Sequence, residues 1–478
     1  MSAFTVPLII RGQVIEDNWV TFGGRGGIAE FSAPDPHKYV KQLRLRTPMD
    51  LRDMYDVSFE EILDVLQELG ERLRLETNPH MQRAYEASLL TSDLTPGLLR
   101  YTYEQLLPSY FQKDVVREIA ERGVGINYLE GWVEHPLRDG RRMRVRAFGA
   151  RTLHIAAGNG PVIAAFSMIR NAITRSDAII KMPSNDPLTG VAVARTLVDM
   201  APDHPVTKHL SAAYWKGGDA EFETQLYRPE NLEKIVAWGG FASVQHVTRY
   251  IQPGLELISF DPKNSASIIG KEAFASEATL REAASRAALD IGAANQNACT
   301  SARVIYVFSG TDEPGLKRLT RLGELIYASM LALPEFISTK PKRYDPELRG
   351  HVAALRLDDE WFHVIGGEAG EGAVIVSRLP EAVDFAPMLS CRTANLVPVD
   401  DLTQVTAAVT AYTQTVGIYP ESLKEELRDQ LPLFGAQRLV SLGFASNPTL
   451  AAPQDGMEPI RRMCKWIVDE CCEWPSGA

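Results

Sequence analysis

The sequence predicts an α/β protein of two lobes, the first built on a doubly wound parallel sheet. Three observations point there. From residue 151 the chain repeats a strand, a polar or glycine-bearing turn and a helix three times, the pattern of a parallel sheet wrapped by crossover helices. A further helix, turn and strand then surround the polar stretch Asn295-Gln296-Asn297-Ala298-Cys299-Thr300-Ser301. Finally, 478 residues are more than one hydrophobic core usually supports.

Composition narrows the class. Apolar residues make up 45% and charged residues 23% of the chain, which excludes wholesale disorder. The net charge of −11, with no dense basic block, argues against nucleic-acid binding, and an anionic ligand would need local cations. The cysteines (Cys299, Cys391, Cys464, Cys471, Cys472) have no metal-ligand spacing, and the adjacent Cys471-Cys472 pair is a poor disulfide candidate. No bound metal and a reducing cytoplasm are expected. The N-terminus lacks a signal-peptide charge pattern, and no apolar run is long enough to span a membrane.

Residues 1 to about 34 read as short strands and turns broken at Gly23-Gly24-Arg25-Gly26-Gly27, and residues 35–122 as helical. In that helical part Phe59, Ile62, Leu63, Val65, Leu66 and Leu69 repeat at i, i+3, i+4. Around Asp139-Gly140 two alternating segments predict a hairpin over residues 131–148. Its arginines from Arg138 to Arg146 suit a solvated face, a subunit contact or an anionic ligand.

The first sheet follows. A strand at 152–156 leads into Gly158-Asn159-Gly160 and a helix to 173; a strand at 177–182 ends near Lys181 and Ser184. Asp186 is the expected N-cap of the next helix, with Pro187 at its first position. A strand at 234–238 meets Gly239-Gly240 before a helix from Phe241. Beyond residue 261 a second α/β region contains Cys299, after a helix at 277–291 and before a strand at 302–308. The tail from 455 to 474 reads as a helix with an apolar face.

Each turn has one chemical and one ordinary reading. Cys299 on a loop between rigid elements suits a nucleophile, against a packed thiol; its amide-rich neighbours argue for exposure. Asn159 suits an oxyanion donor, against a loop amide bonding its own backbone. Lys181 with Ser184 suits a phosphate or ribose, against a solvated lysine, and Gly239-Gly240 lets a pyrophosphate approach a helix N-terminus.

The order amide turn, lysine turn, Gly-Gly turn and lone cysteine resembles the aldehyde dehydrogenase superfamily. More narrowly, several stretches resemble the LuxC-type acyl thioester reductases of that superfamily. They include residues 154–161, Val236-Ala237-Trp238-Gly239-Gly240, Pro262-Lys263-Asn264-Ser265, Ala298-Cys299, Thr413-Gln414-Thr415 and Asp455-Gly456-Met457. The resemblance runs from about residue 126 onward.

It implies an aldehyde-dehydrogenase-like fold with these parts: residues 1–125, the helical part of a cofactor-binding lobe; 126–150, an oligomerisation arm; 151–260, a dinucleotide-binding domain; 261–440, the catalytic domain; and 441–478, a packing segment. It implies Cys299 as acyl-accepting nucleophile and Asn159 with the Cys299 N–H as oxyanion donors. Lys181 and Ser184 would meet the adenosine ribose and its phosphate, and Gly239 and Gly240 the pyrophosphate. In the aldehyde-oxidising relatives a glutamate activates water where this chain has Phe260, beside Asp261; NAD-preferring relatives carry glutamate where this chain has Ser184.

The implied activity is NADPH-dependent reduction of an acyl thioester to an aldehyde in a homo-oligomer. The acyl group would come from coenzyme A, a carrier protein or an acyl-protein synthetase. The alternatives are an oxidative aldehyde dehydrogenase with Asp261 as base, and a non-catalytic scaffold for an acyl-activating partner.

Overall fold

The computed structural model describes residues 4–471. Its first sheet has seven strands in the order Glu256–Phe260, Lys234–Trp238, Arg151–Ile155, Asp177–Lys181, Leu210–Ala213, Leu8–Ile10 and Gln13–Ile15. The first five are parallel, and the two N-terminal strands close one edge antiparallel. Central strands read as continuous apolar runs because both faces are covered. On one face Ile180 and Leu210 pack with Ala164, Val191 and the helical layer of Ile62, Leu66 and Leu69. On the other, Leu153 and Ile179 pack with Phe222, Leu226 and Val247. Helices on both faces make the sheet doubly wound.

One local expectation fails. The helix after the lysine turn is Thr189–Met200 with Leu188 at its cap position, so Asp186 and Pro187 lie outside it. Asp186 instead accepts from the Thr189 backbone N–H at 3.4 Å and from the Thr189 hydroxyl. The turn that starts at Pro183 therefore continues through Pro187 and Leu188 before the helix begins.

The second sheet orders Phe362–Gly366, Ala373–Ser377, Thr393–Pro398, Ala302–Val307, Asn264–Ile269, Thr413–Tyr419 and Arg438–Ser441. It is parallel except at Phe362–Gly366. Helices Glu277–Gly292 and Glu313–Leu331 cover one face through Ala284, Ala288, Leu322 and Ile326.

The hairpin of Val133–Pro136 and Arg142–Phe148 is present, but it is two strands of three. The C-terminal segment is not a long helix. A short helix, Pro459–Met463, gives way to the strand Lys465–Cys471, which pairs antiparallel with Arg142–Phe148 over seven residues. The β-branched and aromatic residues Trp466, Ile467 and Val468 favour that strand, and pairing leaves no room for the helical reading. Residues 472–478 lie outside the described residues, with Cys472 among them. Among the described residues no helix is long and apolar enough to cross a membrane, and no cluster of side chains is arranged to hold a metal.

Candidate active site

Parallel register gathers the first lobe's turns at one edge. Ile155 lies opposite both Lys181 and Ala237, so the turns bearing Asn159, Lys181 with Ser184, and Gly239-Gly240 all leave the carboxyl end of the sheet. Lys181 is not a solvated terminus. Its ammonium lies 5.5 Å from the Trp215 ring centroid and 5.9 Å from that of Tyr214. Burial pushes its pKa down to about 8, against the pull of the Glu223 charge. Glu223 is itself buried and holds His246 at 2.6 Å and the Tyr250 hydroxyl at 3.1 Å.

Asn185 couples the lysine turn to the asparagine turn by donating to the Gly158 carbonyl at 2.7 Å. A Cβ at Gly158 would fall 1.7 Å from the Asn185 Oδ1, so that close approach requires glycine. Ser184 is half-buried beside it. Gly240 begins the helix Phe241–Thr248 and is exposed; a Cβ there would meet nothing in the chain. The open backbone at a helix N-terminus fits a pyrophosphate, and the aromatic-backed lysine with a neutral serine fits a phosphorylated ribose. The turns therefore suit the cofactor that the sequence implies.

Cys299 comes from the second sheet, at the amino end of Ala302–Val307. Before it, Ala294, Asn295 and Gln296 hold φ of 52°, 53° and 63°, a left-handed run costing about 1–2 kcal/mol per residue. Its neighbours hold that run in place. The Asn295 Oδ1 accepts from the Ser338 hydroxyl at 3.0 Å and the Thr339 N–H at 2.9 Å. The Gln296 Nε2 donates to the carbonyls of Ala302 and Thr393, and its Oε1 accepts from the Thr393 N–H at 2.8 Å. The Ser265 hydroxyl donates to the Cys299 carbonyl at 2.7 Å and accepts from the Thr415 N–H.

The expectation that polar neighbours signal exposure is thus corrected. Asn295, Gln296 and Ser301 are buried, and the first two are polar because they bind backbone. Cys299 itself is half-buried. Burial pushes its thiol pKa up; the Gln414 amide beside it pulls down, the Asp455 charge pushes up, and the Arg303 charge pulls down. The Asn159 Nδ2 crosses between the lobes to donate to the Asn297 carbonyl at 3.1 Å, two residues before the sulfur. Asn159 and Cys299 are brought together; Lys181, Ser184, Gly239 and Gly240 share the adjoining sheet edge.

Phe260 ends its strand in an aromatic stack, 3.7 Å from the Trp238 centroid with planes 13° apart. The Arg170 guanidinium covers both rings at 5.2 and 5.4 Å and donates to the Gln454 Oε1 at 3.0 Å. Burial brings Arg170 down to about 10, and burial with the Arg170 charge brings His154 down to about 3. Phe260, which the resemblance sets against the relatives' glutamate, is thus held in a packed cation–aromatic stack. Among the charges acting on the Cys299 thiol is that of Asp455, a carboxylate to which the sequence assigns no role. Gln414, Asp455 and Ser265 have no role in the sequence reading beyond lying in the stretches that carry the resemblance, and Arg303 lies only in the strand expected at 302–308.

A family profile described as acyl-CoA reductase (LuxC) matches residues 54–466. The chain belongs to the LuxC family. It is accordingly an oxidoreductase of acyl thioesters. Across 97% of this LuxC-family chain and 93% of the relative, it is 27% identical to the long-chain acyl-protein thioester reductase of Vibrio harveyi. It is 30% identical to the protein of the same description from Photorhabdus laumondii, over 68% of this chain and 65% of that one. Among solved structures, aldehyde dehydrogenase 21 from Physcomitrella patens superposes with a TM-score of 0.75 at 12% identity, covering 98% of this chain and 99% of that chain. Escherichia coli lactaldehyde dehydrogenase gives 0.70 at 15% identity over the same shares. The LuxC-family chain thus has the aldehyde dehydrogenase fold.

Proposed function

We propose that this protein reduces a long-chain acyl thioester to the aldehyde with NADPH, through an acyl group carried on Cys299. The observation that supports it most is the pairing of a pinned, inter-lobe cysteine turn with an aromatic stack in place of a water-activating carboxylate. The Cys299 thiolate attacks the thioester carbonyl, and the donor leaves as its thiolate, which takes its proton from solvent. Asn159, already at the Cys299 turn, exchanges its bond to Asn297 for the developing oxyanion, beside the Cys299 N–H. Lys181, Ser184, Gly239 and Gly240 would hold NADPH, which would supply the hydride that reduces the acyl carbon. The hemithioacetal then collapses to aldehyde and returns the thiolate. Because Trp238, Phe260 and Arg170 fill the base position, the acyl-cysteine outlasts attack by water. The names of the relatives favour an acyl-protein donor, hence an acyl-protein synthetase or carrier as partner.

Intact mass after mixing with a long-chain acyl-CoA tests the reading. The expected result is one acyl adduct, absent in Cys299→Ala, with aldehyde formed when NADPH is added. Turnover retained by a folded Cys299→Ala protein overturns it, and the absence of any adduct restores the scaffold reading. Faster acid release than aldehyde formation would favour the oxidative alternative with Asp261 as base.

A further inference from the structure

We propose that Ser265 is the positioning residue of the nucleophile turn, its hydroxyl holding the Cys299 peptide still while Asn159 turns to the oxyanion; this rests on the acyl-cysteine reading above. Ser265 lies at the amino end of the strand Asn264–Ile269, between two irregularities of register. On one side Ser265 faces Ala302 and Ala266 faces Val304, so Arg303 is an extra residue. On the other side Asn264 faces Thr413 and Ala266 faces Val416, so that neighbour also carries one residue more. A bulge breaks the ladder locally and re-aims side chains, and it is uncommon in a parallel pair. Here two bulges at one level flank a single serine.

The serine hydroxyl is buried and serves the backbone on both sides. It donates to the Cys299 carbonyl at 2.7 Å and accepts from the Thr415 N–H at 3.1 Å. Among the described residues no other group donates to that carbonyl. An oxygen that accepts from one main-chain group while donating to another strengthens both bonds.

That bond acts at the residue that reacts. Upstream, Gln296 ties the turn to Ala302 and Thr393; downstream, the Ser301 N–H returns to the Ala298 carbonyl at 3.1 Å. Neither holds the Cys299 carbonyl. Fixing this carbonyl fixes its rotation relative to the Cys299 N–H and sulfur, so the N–H stays aimed as charge develops on the acyl oxygen. In the proposed reaction Asn159 gives up its 3.1 Å bond to the Asn297 carbonyl when the oxyanion forms. The turn loses one anchor at that moment, and Ser265 keeps the other. Ser265 itself makes no bond and moves no proton; a displacement of about 1 Å at a reacting group can cost about 100-fold.

Ser265→Ala removes the hydroxyl and leaves a smaller side chain in a buried place. Acylation of Cys299 by long-chain acyl-CoA, read as thiol release without nicotinamide, should slow about 10- to 100-fold at saturation. The acyl-CoA concentration giving half the maximal rate should stay within threefold of wild type. Alkylation of the same Cys299 by iodoacetamide develops no oxyanion and should keep its wild-type rate. Ser265→Thr retains a hydroxyl in a strand that favours β-branched residues, and should acylate within threefold of wild type. A serine that only stabilises the sheet gives another pattern. Ser265→Ala then lowers the melting temperature and either leaves acylation within threefold of wild type or slows acylation and alkylation in parallel. Either result overturns the proposal, as does a change confined to the half-saturating concentration. If Ser265→Ala does not fold, Ser265→Thr decides alone: a folded threonine variant that acylates tenfold more slowly overturns the proposal, and a wild-type rate supports it. No acyl adduct in the wild type overturns the acyl-cysteine reading itself, and this one with it.

Discussion

At Lys181 the strand Asp177–Lys181 delivers an ammonium group onto two aromatic faces, and that placement sets how it responds to pH. A lysine whose pKa is brought down to about 8 is charged below that value and neutral above it. In the proposed site its charge attracts the adenosine phosphate, so the Michaelis constant for NADPH should rise as pH goes from 7 to 9. Lys181→Arg, charged throughout, should flatten that rise. Ser184 gives the companion test. A glutamate there would face the 2′-phosphate with a repulsion of about 1–4 kcal/mol at 4 Å. Ser184→Glu should therefore raise the NADPH constant roughly tenfold or more and leave NADH much less affected. Initial rates against each cofactor decide both; equal loss of both cofactors would remove Ser184 from the phosphate site.

At the scale of elements, the nucleophile turn is a left-handed segment that its surroundings stabilise. Gln296 alone satisfies two carbonyls and one N–H of Ala302 and Thr393, joining the turn to two strands. Gln296→Ala takes the side-chain donor from the two buried carbonyls, at about 1–3 kcal/mol for each left unpaired, while the Thr393 N–H keeps its bond to the Ser390 carbonyl at 3.0 Å. The expected outcome is a lower melting temperature together with slower Cys299 alkylation and acylation, read by calorimetry and thiol labelling. Unchanged acylation would mean that the turn holds its shape without Gln296.

The same turn shows what sequence patterning conveys and what it does not. The strands Arg151–Ile155, Asp177–Lys181 and Lys234–Trp238 and the helix Glu277–Gly292 were legible because apolar periodicity records burial directly. Polar residues carry no such record: Asn295 and Gln296 look solvated in sequence and are core ligands of backbone. Leu8–Ile10 and Gln13–Ile15 are too short for a period, and Lys465–Cys471 becomes a strand only because the hairpin supplies its partner. Asp455 and Gln414 meet across 41 residues of chain, a proximity no local pattern encodes.

At the scale of the molecule, the arm answers what its arginines are for. Arg142 and Arg144 lie 3.8 and 3.5 Å from Glu134, Arg144 lies 3.9 Å from Asp469, and Arg141 lies 3.8 Å from Glu470. Arg146 rests on the Tyr55 and Phe148 rings. Arg142 and Arg144 are thus met by carboxylates of the neighbouring strands and Arg146 by aromatic rings, which favours a contact surface over an anion site. Lys465–Cys471 forms the outer edge of that sheet, with Ile467 at 43% and Val468 at 49% exposure. An edge strand with free main-chain groups and exposed apolar side chains is a pairing surface. The second sheet ends likewise at Arg438–Ser441, flanked by exposed Leu433, Phe434 and Phe444. One chain thus carries two apolar-flanked edges on separate sheets, which copies of the chain can cover for one another. The protein should scatter light as a homo-oligomer at micromolar concentration. Replacing both Ile467 and Val468 by Asp should lower the measured mass while Cys299 alkylation stays at the wild-type rate, because both side chains are exposed on the arm sheet. A wild type that is monomeric under those conditions would show that the arm sheet stabilises the single chain alone.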